Sequence, residues 1–119
     1  MMNEAKLIAK PHITTFEQFV MLADYSLMDT LRADPDSTHD GNDHRPRQVF
    51  SGHFVPVTPT PLEAPEYVSH SSRFFAELEL SDELALDQSF QRVFTGDLSP
   101  VIDPMHSFGW ATGYALSIY

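Results

Sequence analysis

The sequence predicts an α+β fold of short helices with a few strands, and two observations carry that reading. The spacing of apolar residues changes along the chain from the helical period of 3.6 to the strand period of 2 and back again. Hydroxyl residues with the chemistry of helix N-caps stand just before the helical stripes. At 119 residues the chain has the length of one domain, and it could bury roughly two thirds of its unfolded surface.

Thr15-Phe-Glu-Gln18 has the form of a capping box, a hydroxyl at the N-cap and a glutamine three residues on. Phe16, Phe19, Val20, Ala23, Leu27, Met28 and Leu31 then fall at helical spacing, which predicts a helix over 16–31 with one core-facing side. The segment 33–46 reads as a loop with nothing to bury. Within it, 34–46 is acidic and is expected to be the most mobile interior stretch.

Val49, Val55 and Val57 share one strand parity with His53, while Phe50 and Phe54 share the other. This predicts strand character over 48–55, with Pro56 ending the ladder or lying at an edge and His53 half-buried. Residues 58–65 carry three prolines and are expected to be extended. A short helix near 70–78 is expected to turn Phe74, Phe75 and Leu78 inward, with Leu80 following, and to start at Ser69, Ser71 or Ser72. Ser81 is a clear N-cap for a third helix over 82–95, whose stripe is Leu86, Phe90, Val93 and Phe94. Gly96 suits the left-handed position that closes a helix.

Charge and composition exclude several functions. Acidic residues number 17 against 7 basic ones, a net charge of −10, so nucleic acid and anionic membranes are disfavoured partners. The chain contains no cysteine, which excludes disulfides, thiolate metal sites and a thiol nucleophile. No stretch has the apolar length to span a bilayer. The first residues lack the apolar core of a secretory signal, and no arginine precedes Arg32, so the cytoplasm is the default compartment. The residues from Trp110 to Tyr119 are rich in apolar and aromatic side chains, and the last four read as a strand beginning. An orphan strand needs a neighbour, which points to a fragment of a longer protein; an internally paired C-terminal edge strand is the alternative.

Candidate chemistry is sparse. His39, Asp40, Asp43 and His44, with Asp34 and Asp36 just before, are metal-ligand types. Read as a calcium loop starting at Asp36, the stretch has Gly41 at the sixth position but Arg47 where a bidentate glutamate belongs. A solvated acidic loop is the better reading. Pro56-Val-Thr-Pro59 has minimal polyproline-ligand spacing but no adjacent basic residue. Ser51 and His53 would make two thirds of a hydrolytic triad, but no nucleophile elbow accompanies them. His106 and Trp110 are expected to pack. Neither a Walker A loop nor a dinucleotide fingerprint occurs, and the only lysines are Lys6 and Lys10.

A set of short motifs in fixed order adds to this. Ala23-Asp-Tyr-Ser-Leu27 and Leu31-Arg-Ala-Asp-Pro35 are followed by Arg45-Pro-Arg-Gln-Val49, then Pro56-Val-Thr-Pro-Thr-Pro61 and Pro65. Leu78-Glu-Leu80 ends the expected short helix, and Phe94-Thr-Gly96 precedes a Tyr/Gly-rich segment. In this order they resemble the N-terminal region of the selenoprotein O family, the pseudokinase-fold protein adenylyltransferases. The resemblance spans roughly residues 22–119, with Arg47-Gln48-Val49 and Val57 to Pro61 its most specific part. Where most members have Gly-His-Gln-Phe-Gly, this chain has only Thr112-Gly113-Tyr114, and the family's Gly-Asp-Gly-Arg segment does not follow.

The resemblance implies a chain that leads into a kinase-like N-lobe, with the remainder of its own catalytic domain as its first partner. It implies a parent protein that moves AMP from ATP to hydroxyl side chains of protein substrates, with magnesium. It also makes a mitochondrial location an alternative to the cytoplasm. None of the family's ATP-binding, magnesium-binding or catalytic residues transfers to a position here, so no catalytic, cofactor-binding or metal residue is assigned, and the fragment alone is expected to be inactive. The reading of a different class is a small acidic binding or adaptor module without enzymatic activity. A metal-dependent enzyme built on the His/Asp loop ranks last.

Overall fold

A computed structural model describes residues 12–38, 41–42 and 45–118. Among the described residues the fold is a small α+β arrangement of short helices with one two-stranded antiparallel sheet. In chain order the elements are α1 (Phe16–Val20), α2 (Ser26–Thr30), β1 (Val55–Val57), α3 (Ser72–Glu77), α4 (Asp82–Ala85), α5 (Gln88–Val93), β2 (Gly109–Ala111) and α6 (Gly113–Ile118).

The helix predicted over 16–31 is two helices. The capping box forms as expected: the Thr15 hydroxyl accepts from Gln18 N, and the Gln18 side chain accepts from Thr15 N. The helix then winds down through three tight i→i−3 bonds, from Met21 N, Leu22 N and Ala23 N. Asp24 Oδ1 takes the amide of Ser26, a local side-chain bond that competes with helix propagation. The helix predicted over 82–95 divides for a similar reason. Leu86 ends α4, and the carboxylate of Asp87 accepts from Phe90 N and starts α5.

The inward faces shift accordingly. Leu84 and Ala85 are buried, while Leu86 and Phe94 are exposed. On α3 the N-cap is Ser71 and Phe75 is half-buried, whereas Phe74 and Leu78 face solvent. The residues at the end of α5 behave as predicted. Gly96 has φ +99°, its amide returns to Val93 O, and Asp97 N returns to Arg92 O, the paired bonds of a left-handed helix stop.

The strand predicted over 48–55 is corrected to β1, Val55–Val57. Gly52, at φ +85°, turns the chain sharply before it, and Phe54 makes only an isolated parallel bridge with Ala33. Pro56 lies inside β1 opposite Trp110, which a two-stranded sheet tolerates because each strand has a free edge. The strand expected at the C-terminal end is instead α6, begun by Thr112. Its hydroxyl accepts from Ala115 N and its carbonyl from Leu116 N.

The main core joins distant segments. Ile13 bridges Leu80 in parallel, Ser81 N donates to Ile13 O, and Leu84 packs beside them. Phe19, Phe75 and Phe90 cover this cluster, with Phe90 edge-on to both Phe19 and Phe75. Among the described residues, eight hydrophobic side chains are buried and fourteen large ones are exposed, so much of the apolar surface stays uncovered. Among the described residues, no helix is long and apolar enough to cross a membrane.

Candidate functional site

Two joints hold the loops in place. At the first, Asp34 is buried although it opens the segment read as having nothing to bury. Arg47 Nη2 lies 2.8 Å from Asp34 Oδ2, with the side chains 21% and 1% exposed. Asp34 Oδ1 accepts from Asp36 N, and Asp34 N donates to Phe54 O at 2.8 Å. Arg32 and His53 exchange two more bonds: His53 N donates to Arg32 O, and Arg32 N donates to His53 Nδ1. His53 is therefore an exposed loop residue rather than a half-buried strand residue. Its Nδ1 accepts from Arg32 N, so the neutral ring carries its proton on Nε2 and has no free lone pair to take one from Ser51. Gly52 completes the joint, because a Cβ there would stand 2.6 Å from Asp34 N.

At the second joint the proline segment meets the end of α5. Leu62 N donates to Thr95 O at 2.9 Å, and a Cβ on Gly96 would stand 2.6 Å from Thr60 O. Pro56 is buried within β1, which withdraws Pro56-Val-Thr-Pro59 from use as a polyproline ligand.

The most chemically organised cluster was not singled out by sequence reasoning. His70 immediately precedes the N-cap of α3, and Asp82 is the first residue of α4. The connection between these helices turns back at Glu79, φ +60°, with Leu80 N donating to Phe75 O. His70 Nε2 lies 2.7 Å from Asp82 Oδ1, and Tyr67 Oη lies 2.7 Å from His70 Nδ1.

Hydrogen bonds from His70 first, and from Ser72, hold the Asp82 carboxyl below the usual aspartate range. As a carboxylate Asp82 only accepts, so a neutral His70 carries its proton on Nε2 and takes the Tyr67 hydroxyl proton at Nδ1. The ring of His70 is steadied by Phe75, 4.7 Å away between centroids. Tyr67 and His70 line a cleft of about 270 Å³ whose other walls include Val68, Phe90 and Phe94. The chain Ser69-His70-Ser71 gave no signal for this arrangement, since the histidine's partners come from both sides of a helix.

The remaining candidates fall elsewhere. His39, Asp40, Asp43 and His44 lie outside the described residues. Among the described residues no group of three or more His, Asp or Glu side chains is placed to hold a metal ion. His106 packs as expected, stacked on Tyr25 at 3.8 Å, with its amide donating to the Tyr25 hydroxyl. Trp110 is half exposed.

Arg47 is turned to Asp34, Arg73 lies 3.9 Å from Glu77, and Arg92 stands beside Asp97, so these cations are spread over three carboxylates rather than gathered into a cradle.

No protein-family profile, curated protein or solved structure matches the chain.

Proposed function

We propose that the chain is the lead-in of a protein adenylyltransferase of the selenoprotein O kind, and that its own role is to brace a kinase-like N-lobe. The observation that carries this reading is the pairing of the motifs. Leu31 to Pro35 meets Arg45 to Val49 through the Asp34–Arg47 ion pair. Pro56 to Pro61 meets Phe94-Thr-Gly96 through the close approach of Gly96 to Thr60 O, with the Leu62 to Thr95 bond beside it. The family-like residues thus act as joints between loops, which suits a scaffold role. The exposed Met21, Leu22 and Leu27 near α1 and α2, and Leu62 in the proline segment, supply apolar surface for a catalytic body to cover.

Transfer of AMP would then take place on residues of the parent protein outside these 119. The joints would hold the lead-in rigid enough to dock. The test is to read the coding frame past Tyr119 and to assay its full product with labelled ATP and magnesium. Incorporation of AMP into protein by the full product, with no saturable ATP binding by the 119-residue chain in calorimetric titration, is the expected result. A stop codon after Tyr119, or micromolar ATP binding by the short chain, would overturn it and leave the acidic binding module as the reading.

A further inference from the structure

We propose that Tyr67 is a nucleophilic phenol that accepts acyl groups, with His70 as its general base and Asp82 as the residue that positions the base. This rests on the geometry of the cleft and is independent of the adenylyltransferase reading. An activated nucleophile is recognised by two links: a base within hydrogen-bond reach, and a third group orienting the base. Both links are present, at 2.7 Å each.

The aromatic contact with Phe75 limits ring rotation of His70, whose side chain is 17% exposed. Tyr67 remains 44% exposed, so the phenol is reachable. The cleft beside it sets the class of donor. Val68, Phe90 and Phe94 offer an apolar wall, and Glu66 lines the same space, so the fit is to an uncharged ester with a short apolar acyl chain.

The step balances without oxidant or metal. A Tyr67 Oη lone pair forms a bond to the ester carbonyl carbon. The ester C–O bond breaks, and its electron pair leaves with the alcohol oxygen. The Tyr67 proton passes to His70 Nδ1 and on to the leaving oxygen or water, which restores the neutral imidazole. Asp82 accepts from Nε2–H throughout and stabilises the transient imidazolium. The products are O-acyl tyrosine and the free alcohol. Asp82 of α4 is the charged group in contact with His70; Glu66 lines the same cleft, and Arg73 of α3 lies toward Glu77.

The probe is p-nitrophenyl butyrate, with nitrophenolate release followed by absorbance and the acylated residue located by peptide mass mapping. N-acetyltyrosinamide in a parallel reaction is the reference for an unassisted phenol. The expected result is acylation of Tyr67 at least about tenfold faster than the free phenol, since base catalysis contributes about 10²-fold or more. His70→Gln should lower the Tyr67 rate about 100-fold. Asp82→Asn should slow the reaction and displace its pH profile, an effect that a purely structural role would not produce.

N-acetyltyrosinamide acylated as fast as Tyr67 of the unaltered chain would overturn the proposal without recourse to any variant. So would a His70→Gln protein of unchanged circular dichroism that labels Tyr67 at the original rate.

Discussion

Asp87 Oδ2 accepts the amide of Phe16 at 3.0 Å, although the two residues are 71 positions apart. The other oxygen of the same carboxylate accepts from Phe90 N and begins α5. One side chain therefore satisfies orphan amides of two helices and fixes α1 against α5, on either side of the Phe19–Phe90 contact.

Asp87→Ala removes both bonds. The expected loss is about 2–4 kcal/mol, the sum of a missing cap and an unsatisfied, part-buried amide. Asp87→Ser, which keeps a shorter cap for Phe90 but does not reach Phe16, should recover only part of it. Urea denaturation midpoints at constant slope check both values.

Arg47→Met leaves the Asp34 carboxylate buried without its cation. A loss of about 2–3 kcal/mol is expected, at or below the low end for a broken buried pair because Arg47 is 21% exposed. Adding Asp34→Asn to Arg47→Met should restore part of that stability, since no charge then remains uncompensated. A double-mutant cycle by denaturation measures the coupling. Independent, additive effects would contradict the joint.

Gly96→Ala and Gly109→Ala should differ sharply. At Gly96 the backbone has φ +99°, and an added Cβ meets Thr60 O at 2.6 Å, so a loss of about 1–3 kcal/mol is expected. At Gly109 the nearest neighbour of such a Cβ is Val57 O at 3.8 Å, so alanine should be nearly neutral. Thermal midpoints of the two variants side by side are the measurement.

The Tyr67–His70–Asp82 chain should leave an acid signature. Hydrogen bonds from His70 and Ser72 depress the folded-state ionisation of Asp82 below its ordinary 3.8. The unfolded chain therefore takes up the proton first as pH falls. The stabilisation is complete above that ordinary value and is lost as pH drops through the lower folded one. Asp82→Asn should flatten the stability profile in that acidic window while leaving its shape above it. An unchanged acid slope in the variant would show that Asp82 gains nothing on folding.

The features legible in residue order are local ones. The capping box of Thr15 and Gln18, the cap at Ser81 and the left-handed turn at Gly96 appear as read, because each joins groups within about five residues, while only the fold selected Ser71 from the three candidate serines before α3. The broad α+β character follows from the same short-range signals. Tertiary structure decided where the helices stop and which faces they bury. Asp87 looked like one residue inside a longer helix, yet its bond to Phe16 ties it to another segment and its carboxylate starts a new helix.

Asp34 looked like part of a solvated loop, yet Arg47 and the backbone of Phe54 draw it inside. His70 gave no periodic or motif signal because its partners Tyr67 and Asp82 meet it only after α3 and α4 fold back on each other. A charge or imidazole is buried or aligned by partners far along the chain, and spacing within a short window of residues contains no term for such a partner.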